Sequence, residues 1–266
     1  MEIQILENND LTLLADLQPS GWQDILPAIR FYLQSNYCFP IKVVLNNKIV
    51  GIGTTIIHGN TAWLAHIIAH PLFRNIGIGR LITQKLVKSL FEKNIGTIYL
   101  IATEIGQPVY EKIGFLIETE YLFFKDLNAN KSIAVSNNIV PIIEEYSNQI
   151  LNLDFKVSGE NRTELIKPNL AEGFAYLNGD IVEGFYLPNL GEGLIIANKN
   201  NAGLALMKLR MTTKDNISFP IENKVARDYL YSLNYKEFKT AKRMRLGIKR
   251  AWEPKNIYNR IGGNLG

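Results

Sequence analysis

Apolar and polar positions alternate over residues 3–6, which predicts a first strand, and Asn9 or Asp10 can then cap a helix running to about residue 17. Residues 21–35 carry Trp22, Ile25, Leu26, Ile29, Phe31 and Leu33 and predict a second helix. Two β-like runs follow, 41–45 and 50–57, joined by Asn46-Asn47-Lys48, which reads as a hairpin turn. Asn60 ends that hairpin, and residues 62–69 form a further strand. Leu81, Ile82, Leu86, Val87, Leu90 and Phe91 then recur at helical spacing among Lys85, Lys88, Glu92 and Lys93, predicting an amphipathic helix over 79–93. Asn94-Ile95-Gly96 stops it, because Asn and Gly tolerate the left-handed conformation at a helix end. Residues 97–103 read as a buried strand. Gly106-Gln107-Pro108 starts a short helix ending in Lys112-Ile113-Gly114-Phe115. The order predicts an α/β fold, a mixed sheet with helices on both faces.

Residues 126–138 are polar, Asn-rich and aperiodic, the composition of a boundary between a first domain over 1–128 and a second over 139–266. The second half repeats the first. Residues 225–235 match 107–115 in pattern, with Asn234-Tyr235 standing where Gly114-Phe115 stands. Working backward, 193–197 corresponds to the strand at 62–69, 202–211 to the long helix, and 215–221 to the strand at 97–103.

Between the strand at 62–69 and the long helix lies Arg74-Asn75-Ile76-Gly77-Ile78-Gly79-Arg80. Two glycines spaced by one residue let successive backbone N–H groups converge without Cβ obstruction, and the helix behind them contributes its positive end. Such a turn suits a pyrophosphate. A Rossmann fingerprint would need a small residue where Ile82 stands, and a Walker loop would need Gly-Lys-Ser/Thr; neither is present. The repeat lacks the cradle altogether, offering Lys199-Asn200-Asn201-Ala202 in its place.

Composition narrows the field. A chain of 266 residues with 47% hydrophobic content suits two packed domains. Its one cysteine, Cys38, excludes an intrachain disulfide framework and a Cys-based zinc cluster, and reads as a small buried hydrophobe. His66 and His70, four residues apart on a strand, would stand ~13 Å from each other, too far to share an ion, so no metal is expected. The start of the chain is unlike a signal peptide and no apolar run has membrane-spanning length, so a soluble cytoplasmic protein without a membrane partner is expected. The net charge is +4, with a basic stretch from Lys236 to Lys255. No nucleic-acid module accompanies that stretch. It reads as a solvated face rather than a nucleic-acid site, or as an attractor for anionic ligands.

Arg74-Asn75-Ile76-Gly77-Ile78-Gly79 followed by Tyr110-Glu111-Lys112-Ile113-Gly114-Phe115 resembles the GNAT superfamily of acetyl-CoA-dependent N-acetyltransferases. Ala102-Thr103-Glu104 and Lys242-Arg243-Met244-Arg245-Leu246-Gly247 are similar to segments of a tandem subgroup with an additional C-terminal domain. The resemblance implies a GNAT fold in two tandem copies, the second degenerate and without its own cofactor. It implies acetyl-CoA as donor, with its pyrophosphate on the amides of Asn75, Ile76, Gly77, Ile78, Gly79 and Arg80, flanked by the Arg74 guanidinium. It also implies a pantetheine arm paired along Ile67, Ile68 and Ala69. Tyr110 matches the family's general acid. Many relatives carry a glutamate on the strand before the cradle, but residues 63–69 hold no carboxylate, which leaves His66 and Glu104, or a chain of waters, to take the amine's proton. The acceptor is then a primary amine of unidentified origin. A non-catalytic acyl-CoA-binding sensor or interaction protein is the alternative. The second domain either shapes the acceptor pocket or serves stability and self-association as a homodimer.

Overall fold

The computed structural model describes residues 1–127 and 136–265. Much of the polar stretch expected to separate the domains, residues 128–135, lies outside the described residues. The chain divides into two compact units. One comprises Met1–Leu116 with Met244–Ile248 and Gly263–Leu265, the other Ile117–Arg243 with Lys249–Gly262.

The first unit opens with β1 (Glu2–Ile5), then two short 3-10 turns, Asn8–Leu13 and Ala15–Leu17. A continuous helix to residue 17 does not form. The Asp10 carboxylate accepts the Glu7 N–H at 2.8 Å and the Lys42 ammonium at 2.6 Å, so it is bound to a neighbouring strand rather than capping an α-helix. The next helix, α1 (Leu26–Gln34), is shorter than the residue 21 start predicted for it. Pro27 lacks an N–H and its ring would strike a carbonyl four residues earlier, so it is tolerated only in a first turn. Gln18 organises the segment before it, donating to the Pro19, Trp22 and Gln23 carbonyls and accepting from the Ile25 N–H.

Strands β2 (Cys38–Leu45) and β3 (Lys48–His58) form the predicted hairpin, with both Asn46 and Asn47 at positive φ, as a two-residue type I′ turn requires. β4 (Thr61–Ala69) pairs antiparallel with β3. Then come α2 (Ile78–Glu92), β5 (Thr97–Ala102), α3 (Gln107–Glu111) and β6 (Leu116–Phe124). β3 carries α2 at close range. A Cβ at Gly51 would lie 2.7 Å from Ile78 Cγ2, and one at Gly53 would lie 2.5 Å from Ile82 Cγ2. These two glycines set the helix depth and with it the position of the loop at its start. Ile82, Leu86 and Leu90 of α2 close the core of the unit together with Leu64, Ile98, Leu100 and Phe115.

The second unit contains β7 (Ile139–Pro141), α4 (Ser147–Ser158), α5 (Thr163–Ile166), β8 (Phe174–Asn178), β9 (Ile181–Leu187), β10 (Leu194–Ala197), α6 (Asn200–Met211), β11 (Ile217–Pro220) and α7 (Lys224–Ser232). β12 (Lys239–Gly247) and β13 (Ile257–Asn259) follow. β13-β10-β9-β8-β7 form a five-stranded sheet, and β6 lies between β12 and β11 in another. β12 is divided in the chain, its residues from Met244 onward belonging to the first unit.

The repeat is visible bond for bond at the ends of α3 and α7. Ile113 and Phe115 donate to the Tyr110 carbonyl at 3.0 and 3.1 Å, and Leu233 and Tyr235 donate to that of Leu230 at 3.1 and 3.0 Å. Gly114 and Asn234 both adopt positive φ at the turn that follows. The glycine contact recurs too: a Cβ at Gly184 on β9 would meet Ala197 at 2.8 Å and Leu206 of α6 at 3.0 Å.

The basic stretch is only partly a solvated face. Lys242 pairs with Glu120 at 2.6 Å. Arg243 is buried, its Nε 2.9 Å from a Glu118 oxygen and its guanidinium 4.0 Å from the Trp252 ring centroid. In a low-dielectric interior such a charge is tolerable only because opposite charge and a π face meet it.

Candidate active site

β4 and β5 run parallel and pair only at Thr61↔Thr97, Ala62↔Ile98 and Trp63↔Tyr99. Beyond Trp63 the strands part, leaving the edge of β4 that carries Ile67, Ile68 and Ala69 unpaired toward β5 among the described residues. On its other side β4 stays in register with β3, Ile68 opposite Ile52 and Ala69 opposite Gly51. The register slips between Ile52 and Thr54, and at that irregularity His66 adopts φ of 45°. A bulge of this kind turns the strand and re-aims its side chains.

The loop from the end of β4 to α2 begins with His70-Pro71, where the residue before proline is held extended, as expected. His70 Nδ1 accepts the Leu72 N–H at 3.2 Å. Asn75 and Gly77 both take positive φ, 64° and 89°. The first donor of the new helix is the Leu81 N–H, which bonds the Gly77 carbonyl at 2.9 Å. The N–H groups of Ile78, Gly79 and Arg80 therefore have no carbonyl inside the helix to bond. Residues 74–77 are exposed, and a Cβ built at Gly77 or Gly79 would meet nothing within 4 Å. Those donors, the helix's positive end and the nearby Arg74 and Arg80 fit a pyrophosphate.

Tyr110 is buried at the end of α3, its ring edge-on to Phe115 with centroids 6.0 Å apart. Gly106 leaves room for it, since a Cβ there would lie 2.9 Å from Tyr110 Cε2. Burial raises the Tyr110 phenol to about 12, so it holds its proton throughout the neutral range. Glu104 stands exposed in the turn between β5 and α3.

His66 is the better-surrounded candidate. Its Nδ1 lies 2.7 Å from Tyr32 Oη, and its ring meets those of Tyr32 and Trp22 edge-on at centroid distances of 5.5 and 6.1 Å. Burial lowers the imidazole to about 4. Asn264 Nδ2 donates to the same Tyr32 oxygen at 2.6 Å. Nothing in local sequence pattern pointed to Tyr32 or Asn264, which lie 232 positions apart and meet only in the folded unit.

In the second unit the corresponding space is filled. β10 pairs on one side with β9 and on the other with β13, Ile195 opposite Asn259 and Ile196 opposite Ile257. β13 also reaches β11: Asn259 Oδ1 accepts the Ser218 N–H at 2.9 Å, and the Arg260 N–H donates to the Ser218 carbonyl at 2.9 Å. Tyr258 covers the first turn of α6, so closely that a Cβ at Gly203 would fall 2.1 Å from its ring.

The first unit thus combines a strand pair that parts beside a helix N-terminus with a short helix that carries a buried tyrosine. Comparison with known proteins names the family. Residues 9–115 match the model of the acetyltransferase (GNAT) family, whose acyl donor is acetyl-CoA. The chain is 34% identical over 77 residues to the [ribosomal protein bS18]-alanine N-acetyltransferase of Haemophilus influenzae, covering 28% of this chain and 53% of that protein. It is 32% identical over 72 residues to the uncharacterised N-acetyltransferase ycf52 of Pyropia yezoensis, 27% of this chain and 41% of that protein. The matches thus span about half or less of these curated relatives. Among solved structures, a candidate acetyltransferase from Pyrococcus horikoshii superposes with a TM-score of 0.83 at 19% identity, over 100% of this chain and 95% of that one. A tandem GNAT protein from the clavulanic acid biosynthesis pathway superposes with a TM-score of 0.60 at 14% identity, over 94% and 99%. The whole chain therefore has the tandem GNAT fold. Among the described residues no helix is long and apolar enough to cross a membrane.

Proposed function

We propose that the protein transfers the acetyl group of acetyl-CoA to a primary amine, using one cofactor site that lies in the first unit. The parted β4 and β5 beside the free N–H groups of α2 are the observation that carries this reading. The amides of residues 75–80 and the Arg74 guanidinium hold the pyrophosphate, where charge-assisted hydrogen bonds are the strong ones. The open edge of β4 at Ile67, Ile68 and Ala69 pairs with the amide groups of the pantetheine arm and polarises the thioester carbonyl. The amine nitrogen attacks that carbonyl, the C–S bond breaks, and the departing thiolate takes the proton of the Tyr110 phenol. With its acidity weakened by burial, Tyr110 yields that proton only to a sulfur that already carries nearly full negative charge.

The amine's own proton leaves through Glu104 or water. His66 is less suited to take it, because its Nδ1 is engaged by Tyr32 Oη at 2.7 Å and burial weakens its hold on a second proton. The filled space between β10 and β11 supports a second unit without its own cofactor. Incubation with acetyl-CoA and a panel of primary amines, read by release of free thiol, tests the proposal. Turnover on at least one amine is the expected result. Binding of acetyl-CoA without turnover on any of them would instead make the chain an acyl-CoA sensor.

A further inference from the structure

His66 has a defined place in a hydrogen-bonded chain, and the chain fixes its chemistry. Tyr32 Oη carries one proton. Because Asn264 Nδ2 already donates to that oxygen, the phenolic proton is free to point at His66 Nδ1, 2.7 Å away. With Nδ1 as the acceptor of that proton, the other nitrogen of the neutral imidazole carries the hydrogen. All three residues belong to the first unit, which the segment Gly263–Leu265 joins from the far end of the chain. Tyr32 is among the most deeply buried side chains of the molecule, and His66 stands at the bulge of its strand.

We propose that His66 acts in the acyl-transfer site as a neutral Nε2–H hydrogen-bond donor and not as the general base, with Tyr32 and Asn264 as positioning residues that set its tautomer. In this form His66 can donate to a carbonyl or developing oxyanion but has no lone pair at Nε2 to take an ammonium proton. Burial, which holds the imidazole near pKa 4, keeps that form in place at neutral pH. The assignment of an oxygen as the recipient of this donor rests on the acetyl-transfer reading above. The tautomer itself does not.

Two measurements separate the parts. Two-bond proton–nitrogen correlation spectra of the labelled full chain, with the His66 signal identified by its loss in His66→Asn, should show Nε2 protonated and Nδ1 bare. Asn264→Asp replaces the amide donor by an acceptor, drawing the Tyr32 proton away, and should move the His66 hydrogen to Nδ1. A wild-type His66 carrying its hydrogen on Nδ1 would overturn the proposal. In the thiol-release assay, His66→Gln, which keeps an N–H donor but no base, should lose about fivefold in kcat against about a hundredfold for His66→Ala. Equal losses in the two variants would overturn the donor role. An absence of turnover in the wild type would sink the acetyltransferase reading alone, because the spectra decide the tautomer without it.

Discussion

At the scale of single residues, the site depends on two rings whose surroundings push them in opposite ways. Burial raises Tyr110 and lowers His66, so both are held in their uncharged forms at neutral pH. Tyr110→Phe removes the proposed proton donor while keeping the ring that packs on Phe115. Its kcat should fall about 10²-fold with acetyl-CoA affinity nearly unchanged, measured by steady-state kinetics beside equilibrium binding. An unchanged kcat would remove Tyr110 from the mechanism. The depressed His66 pKa also has a consequence for stability. The unfolded chain protonates near 6.5 and the folded one near 4. The contribution of the neutral imidazole is thus complete above pH 6.5 and is lost as pH falls from 6.5 to 4, by on the order of 3 kcal/mol. Denaturant unfolding of the wild type and His66→Asn across that window should show the extra decline in the wild type only.

At the scale of elements, the cradle is placed by packing beneath it. Gly51 and Gly53 let α2 sit directly on β3, which fixes where the helix begins and where its free amides stand. Gly53→Val should drive Ile82 and Leu86 from their places at a cost of about 1–3 kcal/mol and weaken acetyl-CoA binding at a distance from the loop. A loss of thermal stability with wild-type affinity would show that helix depth does not control the cradle. Most of these elements were legible in the sequence. Hydrophobic period, Asn and Gly punctuation and the Gly-x-Gly turn gave the hairpin turn at 46–48, the helix over 79–93 and both halves of the repeat, because each is decided by neighbours in the chain. The first helices were read too long where local pattern competed with specific chemistry: the proline ring at 27 restricts α1, and Asp10 is held by Lys42 of another strand. The bulge at His66 was not legible, since it arises from a register slip against β3.

At the scale of the whole molecule, the features hidden from the sequence are contacts between distant positions. Asn264 meets Tyr32, and β13 enters between β10 and β11; neither has a local signature. Arg243, read as part of a basic face, is buried against Glu118 and Trp252, so that part of the Lys-Arg-Met segment carries structure rather than a docking surface. The two halves share an architecture and differ in what lies between their parted strands: in the second unit the chain's own residues 257–260 fill that space, while in the first the edge of β4 stays free. The proposal of a single cofactor site per chain rests on this difference. Titration calorimetry of acetyl-CoA into the wild type and Gly79→Phe, with thermal unfolding of both, tests it most directly. The wild type should bind one equivalent per chain and the variant none, with its unfolding temperature preserved because replacing a helical glycine costs the fold little. Two equivalents in the wild type, or retained binding in a folded Gly79→Phe, would contradict the account.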